Sequence, residues 1–594
     1  MPSKNHSDFR SITREAIRQI PKTWQRFGGG YIQQVSKQEL ILVNVLAVLV
    51  GIATGYAAIL FRKLIGFLQN IIMYQKIGFD LADPIQHTLG FWILAVVPLG
   101  LVVSTLITRW FAAEAKGHGI PEVIEAVRTR GGRIRKRILA IKALSSSVTI
   151  ATGGSVGREG PIVLIGSTIG SAFGQLSHLS PRLIKTLVGC GAAGAISATF
   201  NTPIAGVIFA VEVIILELKT KSFVPLVTAS VFAAVVSRYY QGNAPAFFVP
   251  EYSLKGPSEL VFYFVLGLLS GIVGAWIIRI VYGMEDLVLK LKIHFLLKPV
   301  LGGLIVASIG LYYPQIFGVG YDTMTQVLQQ NLSLSLILTL LILKPLVMSI
   351  TLAVGGSGGV FAPLLFIGAM LGGAYGTVVH SLFPELTSSH GAYALVAMAA
   401  LYSATSRATF TAIVVLFEMT LDYSIILPLM LVCVIADQFA WVIQKESIYS
   451  LKLLRKGLKF INDIGVNIMG ITLVKDIMTT KIQTAHVNMS IADAGKDLLP
   501  SHHSVYPVID DEQKLCGIVH HDEIQELAAT GDVDKKLSEL MEDAKAIVYA
   551  NDTVLQAVKK IESIRDPRIL VVDRRYGRLQ GIVSPIDFVR LSVA

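Results

Sequence analysis

None of the twelve histidines in this 594-residue chain is followed by glutamate, so the His-Glu-x-x-His pattern of an intramembrane metalloprotease is missing. No Ser-His pair in the apolar region has an obvious third partner either, and an enzyme is not expected. Cysteine is scarce: Cys190, Cys433 and Cys516 have no paired spacing, and two of them lie in apolar stretches. That argues against a disulfide framework and against a zinc site, and leaves the three as packing residues. The net charge of +11 comes without aromatic residues interleaved among the basic ones, which argues against a nucleic-acid surface. The basic residues gather instead at Arg10, Arg14, Arg18, Lys22 and Arg26 and between Arg128 and Lys142, as positive loops do on the cytoplasmic side of a membrane. The first residues lack the apolar core of a cleavable signal peptide, so the N-terminus is expected to stay inside.

Apolar residues are abundant. They make up 53% of the chain and the mean hydropathy is +0.61, too high for a soluble enzyme of several domains. Leu40 to Phe61 carries no charge over 22 residues, and Phe91 to Thr108 and Leu260 to Ile278 are similarly uninterrupted. Each is long enough to cross a hydrocarbon core about 30 Å thick. From about residue 472 the texture changes: short β-branched runs alternate with amphipathic helical patterns, charges are frequent, and nothing further can span.

The apolar part repeats itself. Gly153-Gly154-Ser155-Val156-Gly157-Arg158-Glu159-Gly160-Pro161 aligns with Gly355-Gly356-Ser357-Gly358-Gly359-Val360-Phe361-Ala362-Pro363 at an offset of 202, and ten of 22 positions agree through Gly174 and Gly376. Six of the matches are glycines, too many for a residue that averages about 7% of sequence. A weaker echo relates Ser197–Glu212 to Ser403–Glu418. Duplicated halves in a membrane protein place a site where the repeats meet, on helices that stop inside the bilayer. Each glycine-rich stretch lets the chain unwind, and the following proline suits the first turn of a new helix. Such a helix starts with unpaired N–H groups and the positive end of its dipole, a place for an anion. Gly117-His118-Gly119-Ile120-Pro121-Glu122 reads as a third helix start. Gly166, Gly170 and Gly174, spaced by four, read as close packing of helices. The Arg158-Glu159 pair does not, because ionisable groups at membrane depth are costly and mark function.

Gly117-His118-Gly119-Ile120-Pro121, Gly157-Arg158-Glu159-Gly160-Pro161 and Gly359-Val360-Phe361-Ala362-Pro363, in this order, resemble the three anion-filter motifs of the CLC family of chloride channels and proton-coupled chloride antiporters. Tyr449 resembles the family tyrosine that faces the central anion. The resemblance covers residues 38–456. It implies an α-helical polytopic membrane protein with inverted-topology repeats and broken helices, assembled as a homodimer with one pore per subunit. It also implies that Glu159 is the gate, and that His118, Gly119, Arg158, Gly160, Val360, Phe361 and Tyr449 line the anion path. A carboxylate near converging helix N-termini mimics a bound chloride and leaves when protonated or displaced. The competing reading of Glu159, an ion pair with Arg158, is opposed by the divergence of adjacent side chains on a helix. For Tyr449 the competing reading is an interfacial aromatic.

Two positions depart from the family pattern. His118 stands where serine is frequent: either the imidazole faces the anion, or it points away and the loop backbone binds. Val213 stands where many antiporters carry a second glutamate, and valine cannot relay a proton. This favours a channel or an uncoupled pore, with proton-coupled antiport as the alternative, since water or Glu212 can replace the missing group.

The tail is a second duplication. Val474–Met478 is echoed by Leu537–Met541 and Gly517-Ile518-Val519 by Gly581-Ile582-Val583, each copy reading strand, helix, strand, strand, helix. It resembles a tandem α/β CBS pair. The resulting divisions are a basic segment 1–37, a membrane domain 38–456 with its repeat boundary near 245, a linker 457–472, and CBS copies 473–530 and 537–594. Ser584 and Asp587 resemble the family's adenine-nucleotide pattern, which implies ATP, ADP or AMP as a ligand, the other reading being an ordinary helix cap. The first copy has His520 and Glu523 at those positions, so one site is expected to be weaker. No metal or other cofactor is expected. The chain is expected to be multi-pass in the plasma (inner) membrane with the CBS pair cytoplasmic.

Overall fold

The computed structural model describes residues 37–81, 84–115, 117–216, 220–243, 254–458, 472–501, 503–530, 534–544, 546–564, 569–584 and 587–588. The chain divides into two compact units, 1–457 and 458–594.

The first unit is helical. Among the described residues eight helices are long and apolar enough to cross a membrane. The three charge-free runs lie in the helix Lys37–Tyr74, in the turn Gly90–Trp92 with the helix Ile93–Phe111, and in the helix Glu259–Lys290. The first and third helices have 38 and 32 residues, well beyond the roughly 20 that a perpendicular crossing needs, as tilted helices are.

The halves have inverted topology. Gly153 and Gly355 take φ of 96° and 119°, where only glycine is unstrained, and turn the chain out of the helices Arg137–Ala151 and Leu334–Ala353. The loops then meet: Gly157 N donates to Gly359 O and Gly359 N to Gly157 O, both at 2.7 Å, in an antiparallel bridge. Equivalent residues that pair antiparallel lie across a two-fold axis. The same axis relates Ser357 N donating to Thr149 Oγ1 (3.1 Å) and Ser155 N donating to Thr351 Oγ1 (3.4 Å). New helices start at once, Glu159–Leu176 and Phe361–Leu382, with Pro161 and Pro363 in their first turns.

The second helix of each pair packs on its partner through small residues. A Cβ on Gly170 would sit 1.9 Å from Leu187 O, and one on Gly372 2.2 Å from Tyr393 O, so the four-residue glycine spacing serves close helix packing. The helices Pro181–Phe200 and His390–Ser406 end alike, at Asn201 and Arg407 with φ of 61° and 60°. The weaker echo therefore holds its register at an offset of 206.

The second unit holds two three-stranded sheets of one topology. In the first, β1 (Ala485–His486) lies parallel to β2 (Val505–Ile509), which pairs antiparallel with β3 (Leu515–His520). In the second, β4 (Ile547–Tyr549), β5 (Ile569–Val572) and β6 (Leu579–Val583) repeat this order. The copies exchange leading segments: Thr479 bridges to Ile582 of the second sheet, and Glu542 to Ile518 of the first. The helix expected after β6 lies largely outside the described residues.

Candidate anion site at the crossing of the repeats

Three loops touch where the halves cross. A Cβ on Gly160 would sit 2.1 Å from His118 O and 3.0 Å from Gly359 Cα, and one on Gly119 2.4 Å from Gly160 O. Side chains are excluded there, so backbone approaches backbone. The helices Ile120–Thr129, Glu159–Leu176 and Phe361–Leu382 all start at this crossing, each with N–H groups that have no preceding turn to bond. Their positive dipole ends gather in one place. The structure thus brings together His118, Gly119, Arg158, Glu159, Gly160, Val360 and Phe361 from three separate stretches of chain.

Glu159 is fully buried at the head of its helix. Its Oε1 accepts a hydrogen bond from Tyr321 Oη at 2.7 Å. Its Oε2 lies over Gly157 without a hydrogen-bond partner. Arg158 is no close partner: Nε stands 3.9 Å from Oε1, and neither Nε nor Nη1 makes a hydrogen bond although the side chain is 10% exposed. The guanidinium lies instead 5.4 Å from the centre of the Tyr321 ring.

Tyr449 immediately precedes the helix Ser450–Arg455 and is buried to 2% exposure. Its segment is anchored by Ile448 N donating to Thr405 O (2.9 Å) and by the Tyr282 hydroxyl donating to Ile448 O. The hydroxyls of Tyr449 and Tyr402 are neighbours, and neither makes a well-formed hydrogen bond. Phe361 packs on Tyr402 at 4.4 Å and on Phe200 at 5.2 Å between ring centres. Tyr449 is therefore an interior group, joined by a second tyrosine that sequence reading did not single out.

Cavities open on both sides of the crossing. One of about 390 Å³ is lined by Arg62, Arg158, Asn201, Gln241, Gly320 and Tyr321, among others. The other, about 230 Å³, is lined by Glu114, His118, Glu122, Glu285, Lys452 and Lys456 among others. His87, just before the helix Ile93–Phe111, packs on Phe317 beside the first cavity, and Glu114 follows the helix in the second. His118 is 5% exposed and its Nδ1 has no hydrogen-bond partner. Beside it, Glu122 accepts from Gly119 N at 2.9 Å and from Lys452 Nζ at 2.7 Å.

Lys142, counted in sequence with a basic loop cluster, is instead fully buried on the helix Arg137–Ala151. Its Nζ donates to Ala115 O, Gly117 O and Ser357 Oγ at 3.0, 2.6 and 3.0 Å, bonds that compensate for the loss of water. Lys344 does the same across the axis, donating to Ile316 O and Gly318 O at 2.9 and 3.0 Å. Gly318-Val319-Gly320 is thus the counterpart of Gly117-His118-Gly119. The signal was present: the two stretches align at an offset of 201, one short of the register of the filter loops.

Val213 is 6% exposed in the π-helical turn Ala210–Ile215. Both oxygens of neighbouring Glu212 are engaged, by Phe410 N, Thr411 N and Thr411 Oγ1. In the second unit, Ser584 N and Oγ both donate to Asp587 Oδ2 at 2.8 Å, the arrangement of a helix cap. In the first CBS copy Glu523 Oε2 is a buried atom without a hydrogen bond.

Residues 99–440 match the family model described as voltage gated chloride channel, and residues 474–529 and 537–594 each match the CBS domain model. A protein named "Putative chloride channel protein ClcB-like" from Ralstonia nicotianae is 31% identical over 415 residues, which is 69% of this chain and 96% of that protein. An H(+)/Cl(-) exchange transporter ClcA from Klebsiella pneumoniae is 32% identical over 425 residues, 70% of this chain and 89% of its own. The crystal structure of a slow cyanobacterial Cl-/H+ antiporter superposes with a TM-score of 0.64 at 25% identity, covering 70% of this chain and 97% of its own. That of a eukaryotic CLC transporter gives 0.62 at 20% identity over 92% and 98%, a likeness of fold.

Proposed function

The chain belongs to the voltage-gated chloride channel family, and from that premise we propose that it passes chloride or a similar small anion across a membrane, by one path in each subunit of a homodimer, gated by Glu159. The observation that carries this reading is the convergence of three helix N-termini around one fully buried carboxylate. Fixed dipoles of that kind favour negative charge whatever its source, so a carboxylate and a chloride compete for the same place. The N–H groups of Val360 and Phe361 and the Tyr449 hydroxyl hold the central anion. Arg158 and Gly160 border it on the side of the larger cavity, and His118 and Gly119 on the other. With His118 in its neutral form, the imidazole offers one N–H to the anion in place of a serine hydroxyl, so anion preference is decided there.

The path is uncoupled from protons in this reading. Val213 offers nothing to titrate, and the Glu212 carboxylate beside it is occupied by three donors. A second reading, proton-coupled antiport, is favoured by the relatives whose names describe H(+)/Cl(-) exchange. The CBS pair faces the cytoplasm and takes an adenine nucleotide at Ser584 and Asp587, the Asp587 carboxylate accepting from ribose hydroxyls. Chloride efflux from liposomes holding the purified chain tests the whole reading. Efflux above that of empty liposomes supports it, and efflux equal to theirs overturns it.

A further inference from the structure

We infer that Tyr321 is a positioning residue for the gate, its hydroxyl latching the Glu159 carboxylate while the path is closed; the inference rests on the reading of Glu159 as that gate. The 2.7 Å bond from Tyr321 Oη to Glu159 Oε1 joins residues 162 apart in sequence and brings the carboxylate a side-chain donor beside the backbone N–H groups of Glu159 and Ala362. The two-fold axis explains why they meet. Tyr321 follows Gly318-Val319-Gly320 as Ile120 follows Gly117-His118-Gly119, and Glu159 opens its helix as Phe361 opens the other. The polar pair Tyr321 and Glu159, one residue from each half, is therefore related by the axis to the positions of the apolar residues Ile120 and Phe361. The fold supplies the same geometry twice and the sequence fills it with hydrogen-bonding groups once.

The surroundings make the bond consequential. Charged and titratable groups facing the carboxylate are Arg158 on its own helix, Tyr321, and Tyr449 across the path, with Arg62 beyond Arg158 in the larger cavity. Arg158 stands too far for a hydrogen bond, so the phenol is the side-chain donor that holds the carboxylate, together with the backbone N–H groups at the helix starts. A hydroxyl donates more strongly to a carboxylate than to a neutral carboxyl. Protonation of Glu159 therefore weakens the latch at the moment the gate leaves. Tyr321 also lines the larger cavity together with Arg62 and Arg158.

The test is chloride efflux against pH from liposomes, comparing the native chain with Tyr321→Phe, Tyr321→Ile, Glu159→Gln and the double variant Tyr321→Phe/Glu159→Gln. Loss of a hydrogen bond to a charged group is expected to raise flux about tenfold where the native gate is closed, and to move the midpoint of the profile about one pH unit upward. Phenylalanine keeps the ring beside Arg158, and isoleucine copies Ile120; both are expected to give the same displacement. In the Glu159→Gln background Tyr321→Phe is expected to change flux by no more than about twofold, because one contact cannot be lost twice. A native profile in Tyr321→Phe, with pH dependence abolished by Glu159→Gln, overturns the latch and spares the gate. An equal effect of Tyr321→Phe with and without the carboxylate, or a displacement with isoleucine alone, makes the tyrosine a packing residue and also overturns the latch. Retention of the native pH dependence by Glu159→Gln removes the gate and the latch together.

Discussion

Glu212 caps the helix that carries Glu418, and Glu418 caps the helix whose π-helical continuation carries Glu212. Glu212 accepts from Phe410 N and Thr411 N at 3.1 and 2.7 Å, and Glu418 accepts from Ile204 N and Ala205 N at 3.0 and 2.7 Å. All three pairs of equivalents differ by 206 in sequence, so this is one contact made twice by the two-fold axis. A carboxylate on the first N–H groups of a helix offsets the positive dipole end and satisfies donors that have no intrahelical acceptor. The two short helices, Pro203–Phe209 and Thr409–Thr420, are thereby pinned end to side.

Glu212→Ala and Glu418→Ala are each expected to cost about 1–3 kcal/mol, the range for losing hydrogen bonds to a charged group in a part-buried place. Thermal unfolding of the detergent-solubilised chain measures this as a fall in melting temperature for both variants. Glu212→Gln, which keeps an acceptor, is expected to fall less. Alanine variants that melt with the native chain would mean the caps add nothing to stability.

Glu159→Gln imitates the protonated gate, so anion flux in that variant is expected to be high at every pH and flat across the range where the native chain responds. The sign follows from charge: acid protonates the native carboxylate and opens the path, and glutamine has no proton to lose. Flux into liposomes at fixed chloride and varied external pH is the measurement. Unchanged pH dependence in the variant counts against the gate.

Because Val213 cannot titrate and Glu212 is engaged by three donors, the zero-current potential is expected to follow the anion gradient alone. One charge moved through 100 mV corresponds to about 2.3 kcal/mol, so even modest proton coupling displaces that potential measurably. Reconstituted protein under a tenfold proton gradient and symmetric chloride is expected to reverse at zero. A reproducible displacement, with proton uptake that stops in Glu159→Gln, would establish antiport instead.

A nucleotide held by Asp587 is expected to raise the melting temperature of the full chain, since a ligand that binds only the folded state stabilises it by mass action. Asp587→Ala is expected to abolish the shift. It is also expected to cost about 1 kcal/mol without nucleotide, because Ser584 N and Oγ lose their acceptor. ATP, ADP and AMP should each be titrated. Equal shifts in native and variant proteins, or none in either, would leave the aspartate as a cap and nothing more.

Both duplications were legible in sequence because their signals are local. Gly153 and Gly355 must be glycine to turn the chain with positive φ, and Gly160 must be glycine because His118 O lies where a Cβ would go. Such demands leave motifs a few residues long, and the resemblance of those motifs to a family placed Glu159, Val360, Phe361 and Tyr449 on one path. The charge-free runs likewise announced helices by composition alone.

What only the tertiary structure decided are contacts between distant residues of unremarkable type. Tyr321 looks like any tyrosine near a helix start until the fold sets it against Glu159, and Tyr402 is one apolar-helix residue among many until it meets Tyr449. Lys142 reads as loop charge and is instead, like Lys344 across the axis, a buried donor to a glycine-loop carbonyl. The repeat that relates these residues slips from an offset of 201 at the Gly318 loop to 202 at the filter and 206 at the capping glutamates. Loops of unequal length in the two halves move the register while helix packing preserves the axis, so sequence comparison loses a symmetry that packing retains.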